Sequence, residues 1–409
     1  MKLSDNKQKK ISYLVFGFFV LVYMGICFYL YYNQLDFPVT GKFEADTPFH
    51  VSMAVEDHFF YSLTSYIYWL LAKLPWGNGW IALFLSDITA STVILTYLLL
   101  KKVASFYEIS LREHKFYILS FATNILIAFY VKAVNKQRYI GYTSANMWHN
   151  STYICMRFMA VLTLILFIKI YEEGLSVKNF VWFTVALTVT TAIKPSFLTV
   201  FAPVMAIELL WDLCKKKKPF KKVLFFALSV VPSLLVIVLQ SLVLFGGETG
   251  NGYAISPFTA LSQRGDHPKA ALVVSIVFPL LVLLYHIKDF WKDRIYFGSI
   301  LIWLFGFLEV FLFTETGSRS GDQNFMWGYS IALFIWFLES VIVLNKDLCK
   351  LEEDRIVRFS TEEKQTGWVN ITFIFRDVYL FLTALALLWH VSSGIWYLSL
   401  LLKGATYFI

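Results

Sequence analysis

The chain has 409 residues, of which 58% are hydrophobic and only 16% charged, with a formal net charge of +8. Soluble domains carry about 25% charged residues, so the composition excludes an ordinary soluble enzyme. Four cysteines (Cys27, Cys155, Cys214 and Cys349) lie scattered without paired spacing, which excludes a disulfide framework and a cysteine metal motif.

Apolar runs recur near 11–31, 79–100, 115–133, 153–171, 179–194, 196–213, 222–245, 270–287, 295–314, 325–344 and 371–391. A helix needs about 20 apolar residues to cross the hydrocarbon, so these eleven runs read as transmembrane helices. The first run is too long for a cleaved leader and has no small-residue cleavage site after it, so it reads as a retained helix. The two runs flanking Lys194-Pro195 also fit one broken helix. With the N-terminus "MKLSDNKQKK" in the cytoplasm, alternate loops should be basic. They are: "KKVASFYEISLREHK", "KIYEEGLSVKN", "DLCKKKKPFKK", "YHIKDFWKDR" and "NKDLCKLEEDRIVRF" all fall on that side. The positive charge is therefore a topology signal that touches anionic lipid, and no nucleic-acid partner is expected. The expected fold class is an all-α polytopic membrane protein. It forms one membrane domain, 1–409, with a cytoplasmic loop at 346–368 and a first outer loop at 32–78.

Polar chemistry gathers in the other set of loops. The first, "FEADTPFHVSMAVEDHFF", concentrates Glu44, Asp46, His50, Glu56, Asp57 and His58. "DTPFH" is a helix start: Asp46 or Thr47 suits the cap, and Pro48 suits the first turn. His50, Met53 and Asp57 then follow helical spacing, a pattern that a solvated amphipathic helix also satisfies. "FFYSLTSYIYWLLAKLPW" is short for a span and suits a helix lying in the interface, its Tyr and Trp at headgroup level. Counting it as a span would invert every later loop and put the lysine run outside.

A first helix, a long outer loop with an early acid and two interfacial helices, then a multi-span bundle: this arrangement resembles the GT-C superfamily of membrane glycosyltransferases. "MWHNSTYICMR" and "NFMWGY" also look like motifs of bacterial cell-surface polysaccharide proteins. The resemblance implies a sugar or glycan taken from a polyprenyl-phosphate carrier and given to a glycan or lipid acceptor at the outer membrane face. Single transfer and polymerisation both fit it. It implies a catalytic acid near the end of the first span, the place that Asp46 occupies, with a second acid at Asp57 or Glu56.

The chemistry asks for the same groups. Glycosyl transfer from a phospholipid needs a base for the acceptor hydroxyl and cations for the departing phosphate. Asp46 is the expected base, with His50 orienting it or contacting phosphate and Asp57 the alternative acid. Capping or plain solvation is the competing role for each acid. The donor-phosphate candidates are Arg157, one turn into a span, and Lys194, where two apolar runs meet, with Arg264 and Arg319 in outer loops. Snorkelling is the competing reading of the first two, and solvation of the loop arginines, including Arg138. Trp148, His149 and Asn150, with Asn324 and Trp327, are the glycan-binding candidates, against an interfacial aromatic belt with Asn150 as a cap. Glu309 is an intramembrane acid in need of a partner.

No nucleotide fingerprint or P-loop is present, which fits a lipid-linked donor. No cofactor is called for; a divalent cation held by Asp46, His50, Asp57 and His58 is the alternative. The rival function is a transporter or flippase of lipid-linked glycans, whose polar groups would sit at the bilayer midplane.

Overall fold

The computed structural model describes residues 5–134, 144–217, 219–245, 252–263, 267–317, 320–360 and 371–405. A long helix, α1 (Asp5–Leu35), leads through the turn α2 (Phe37–Thr40) into two small helices, α3 (Thr47–Val55) and α4 (Leu63–Ala72). Then come α5 (Asn78–Phe106), α6 (Glu113–Ile125), α7 (Ser151–Glu173), α8 (Val177–Ile193) and α9 (Ser196–Cys214). The next elements are α10 (Phe220–Leu228), α11 (Val231–Phe245), the strand β1 (Gly252–Ile255), α12 (Thr259–Ser262), α13 (Pro268–Ser275) and α14 (Val277–Tyr285). Helix α15 (Arg294–Leu312) runs straight into β2 (Phe313–Thr316), which pairs antiparallel with β1; α16 (Met326–Ser360) and α17 (Ile371–Leu401) follow.

Among the described residues, eight helices are long and apolar enough to cross a bilayer, or nine if α13 and α14, bent by 62°, form one span. The protein is a predominantly α-helical, multi-pass membrane protein, to which the short β1–β2 ladder is an addition the sequence did not suggest. The other two expected spans are shorter helices: α8 has 17 residues, and the run at 115–133 holds only the 13-residue α6. Helix α16 continues through 346–360, the first part of the expected loop.

Each interruption has a chemical answer, because backbone groups buried in an apolar bundle must be satisfied within the protein. The chain leaves α6 at Leu126 in an extended conformation. The Asn146 amide then donates to the carbonyls of Thr123 (2.8 Å) and Leu126 (2.7 Å). His390 of α17 serves two breaks at once. Its Nδ1 lies 2.6 Å from the Ile127 carbonyl, and its Nε2 accepts from the Phe278 N–H at the α13–α14 bend (3.4 Å). That pairing fits a neutral ring protonated on Nδ1. Helix α8 stops because Lys194 precedes a proline and is held extended (φ −160°, ψ 125°). The side chain of Gln240, on α11, donates to the Ala192 carbonyl stranded there (2.9 Å).

Helix α16 is the axis of the bundle: 94% of its apolar window is buried, against 22% for α1. A helix that is predominantly apolar around its whole circumference belongs at the centre, and the few polar groups of this stretch, Ser330, Glu339, Ser340 and Asn345, are buried with it. It meets α15 closely. A Cβ on Gly306 would stand 3.0 Å from the Tyr329 Cα and 3.1 Å from the Gly328 carbonyl, and one on Gly328 would strike the Glu309 carboxyl. Gly306→Val should therefore push the two helices apart and cost about 1–3 kcal/mol, as overpacking of cores does. The readout is the thermal midpoint of detergent-purified protein; an unchanged midpoint would mean the helices do not approach this closely.

Candidate functional site

The α8–α9 break and several helix ends meet around one cavity of about 930 Å³. Its wall takes residues from the α3–α4 segment, the start of α7, the α8–α9 corner, the end of α11, β1, the end of α15 with β2, and the turn into α16. The wall has two characters. Asp46, His50, His149, Asn150, Lys194, Glu315 and Asn324 make a polar end. Ile237 and Leu244 of α11, with Phe305, Leu308 and Leu312 of α15, make an apolar flank.

Asp46 stands at the N-cap position of α3, where Pro48 fills the first turn, yet its carboxylate does not cap that helix. Its Oδ2 instead accepts from the Asn150 side-chain amide at 2.8 Å, and its backbone N–H donates to the His149 carbonyl at 3.0 Å. The α3 start and the α7 start are thereby clamped together. Asn150 works on two sides. Its Oδ1 caps α7 by accepting the Tyr153 N–H at 2.9 Å, and it also accepts the Thr152 hydroxyl at 2.8 Å. Thr152 in turn accepts from the Lys194 ammonium at 3.0 Å. That ammonium also lies 4.7 Å from the centre of the Trp327 ring, a cation–π contact.

The electrostatics follow from these contacts. Burial works against charge on Asp46, but His149, His50, the Asn150 amide and Lys194 outweigh it and hold the carboxyl below its usual range. The Tyr61 hydroxyl lies 2.6 Å from His50 Nδ1. Burial pushes the His50 imidazole down to about 4, Lys194 adding to the shift and Asp46 opposing it, so the ring is neutral at pH 7. Burial lowers Lys194 to about 8, with Asp46, Glu315 and Asp322 opposing the shift, so it is still largely charged at pH 7. Glu315 faces the cavity because β2 continues α15 and pairs it with Tyr253, another lining residue. Both its oxygens accept from Asn324, from the side chain at 2.8 Å and the backbone at 3.0 Å.

Of the residues singled out in the sequence, Asp46, His50, Lys194, His149, Asn150, Asn324, Trp327 and Glu309 border this cavity. Asp57 and His58 do not; they are exposed past the end of α3. Arg157 is 1% exposed and directs its guanidinium to the Asn146 side chain, between the rings of Tyr153 and Phe334. That arrangement ties α7 to the unwound end of α6. Trp148 is buried, its indole donating to the Tyr23 hydroxyl at 3.0 Å and its carbonyl accepting from Gln34 at 3.0 Å. Arg138, Arg264 and Arg319 lie outside the described residues.

Thr152, Tyr61, Gln240, Glu315 and Asp322 also border or brace the cavity and were not singled out. Only Gln240 carried a signal of its own, as an amide within an apolar run. Among the described residues no group of three or more His, Cys, Asp or Glu side chains is arranged to hold a metal ion. The Asp46, His50, Asp57 and His58 set is not such a group, since Asp57 and His58 are exposed past the end of α3.

No protein-family model and no curated protein matches this chain.

Asn150→Ala removes a helix cap and the amide that holds Asp46. It should cost about 1–2 kcal/mol in stability. It should also raise the proton affinity of Asp46, read as an upward shift of any activity limb that depends on its ionised form. A variant as stable as the parent would contradict the clamp.

Proposed function

We propose that the chain is a membrane glycosyltransferase of the GT-C type. It moves a sugar or glycan from a polyprenyl-phosphate carrier to a glycan or lipid acceptor in cell-surface polysaccharide or glycolipid synthesis. In this reading the N-terminus is cytoplasmic, all eleven apolar runs traverse or re-enter the bilayer, and the cavity opens outside. Helices α3 and α4 then lie in the outer interface, where the aromatic cluster of Phe60, Tyr66 and Trp69 fits headgroup level.

One observation carries the reading. A single cavity joins an ionised carboxylate, Asp46, and an ammonium, Lys194, to an apolar flank between α11 and α15. A lipid-linked phosphosugar has the matching parts: an isoprenoid tail for the flank, a phosphate for the ammonium and a reacting carbon for an acceptor activated by the acid. The amides of Asn324 and Gln323, the carboxylate of Glu315 and the indole of Trp327 suit sugar hydroxyls and C–H faces. Asp46 accepts the acceptor's proton while Lys194 neutralises the phosphate that leaves. Held as it is, Asp46 is a weak base at rest. A phosphate beside Lys194 would cancel part of the cation's pull and raise the proton affinity of Asp46 when the donor is in place.

The transport reading draws on Glu309, an acid in a membrane helix, and on the broken helices α8–α9 and α13–α14. Turnover separates the two. With a defined polyprenyl-phosphate sugar and purified protein, glycosyl transfer is expected. Asp46→Asn should lower kcat about 10²–10⁴-fold with little change in donor KM, the scale of a lost general base. A folded Asn variant with full activity would remove Asp46 from the chemistry, and flipping without transfer would favour transport.

The pH dependence has a definite sign. Lys194 is charged below its lowered value of about 8, so kcat/KM for the anionic donor should fall as pH rises through 8. Lys194→Gln should be slow at neutral pH and lack that limb. An unaltered limb in the variant would assign it to another group.

A further inference from the structure

We propose that Thr152 is a positioning residue that couples the Lys194 ammonium to the Asp46 carboxylate through Asn150. The inference deepens the reading above by adding a residue to that same site, and it rests on the geometry of the site alone.

Three consecutive hydrogen bonds make up the link: Lys194 Nζ to Thr152 Oγ1 at 3.0 Å, Thr152 Oγ1 to Asn150 Oδ1 at 2.8 Å, and Asn150 Nδ2 to Asp46 Oδ2 at 2.8 Å. Thr152 and Asn150 are buried, and Lys194 is 8% exposed, so water competes poorly for these groups. The direction of each bond is forced. The Tyr153 N–H can only donate, so the Asn150 atom beside it must be Oδ1, and the amide NH₂ must face Asp46. With Oδ1 as its partner, the Thr152 hydroxyl must donate there, which leaves it a lone pair to offer Lys194. The chain therefore has one orientation, a cation at its donor end and an anion at its acceptor end. Hydrogen bonds aligned in series polarise one another.

The ordinary role for a threonine in a helix is different. Thr92, Thr96, Thr163 and Thr190 each donate to the carbonyl four residues back. Thr152 sits in the first turn of α7, and its hydroxyl instead accepts from Lys194 and donates to the Asn150 amide oxygen, which leads on to Asp46. Several other charged or titratable groups act on this pair: Glu315 on β2, Asp322 before α16, His50 on α3 and His149 before α7. They act through space, whereas the relay acts through the Thr152 oxygen, and that difference makes it testable.

The test needs no substrate. Only the neutral amine of Lys194 reacts with an acetylating reagent. Trace acetylation of the full chain in nanodiscs across pH, read by mass spectrometry, therefore gives the midpoint at which Lys194 loses its proton. Removing the Thr152 oxygen deprives the charged form of an acceptor. Thr152→Val should lower the midpoint by about half a unit or more, the scale of one charge-assisted hydrogen bond. Thr152→Ser should restore it. If the Val variant fails to fold, Thr152→Ala carries the same expectation. Asp46→Asn should also lower the midpoint, and in the double variant with Thr152→Val the two shifts should sum to less than their separate values. A parental midpoint in the Val or Ala variant, no rescue by Ser, or strictly additive shifts would overturn the relay. Because the readout involves neither donor nor acceptor, its failure leaves the glycosyltransferase reading untouched, and failure of transfer leaves the relay standing.

Discussion

The structure depends on one constraint: a backbone that leaves the helix inside an apolar bundle must find its hydrogen-bond partners in the protein itself. This chain breaks its helices at the end of α6, at Lys194-Pro195 and between α13 and α14. It meets the requirement with single polar side chains, Asn146, Gln240 and His390, each reaching a stranded carbonyl or N–H. Such side chains are expensive to place in an apolar bundle, and those three positions fix where the chain can unwind.

The unwound points also place the charges. Lys194 is buried because the helix ends there, one residue before a proline, and Asp46 is partly buried because the chain entering α3 runs against the residues entering α7. Both charges belong to connections between helices rather than to helix interiors, so they gather at one end of the bundle. The remainder of the wall is built from whole helices, α11 and α15, whose apolar faces are left beside the polar end. A cavity with a charged head and an apolar side follows from the topology, and in the proposed reading it fits a substrate with a charged head and an apolar tail.

The sequence disclosed the membrane class and most of the long helices, because hydropathy over about 20 residues is a local property. It also disclosed the helix start at Asp46-Thr47-Pro48 and the break at Lys194-Pro195, both set by proline within a few residues. The short α6 was not legible. Its apolar run continues past Ile125, and what ends the helix is Asn146, twenty residues away in sequence from the carbonyl of Leu126 that it meets. For the same reason Arg157 reads as an edge cation in the sequence but is bound to Asn146 in the fold. Asp46 has the residue type and position of a cap, yet its carboxylate is taken by Asn150, 104 positions along the chain. Thr152 was invisible: a threonine in the polar lead-in to a helix has no pattern that separates a relay from a hydroxyl that only caps or solvates.

The account comes down to where the two ends of a lipid-linked sugar lie. The most direct measurement is a cryo-electron microscopy structure of the full chain in nanodiscs with a non-transferable phosphonate analogue of a polyprenyl-phosphate sugar. The account requires the phosphonate at Lys194, the isoprenoid chain along α11 and α15, and the anomeric carbon facing Asp46. An analogue bound elsewhere, or one seated in the cavity with its phosphonate away from Lys194 and its sugar turned from Asp46, would contradict it.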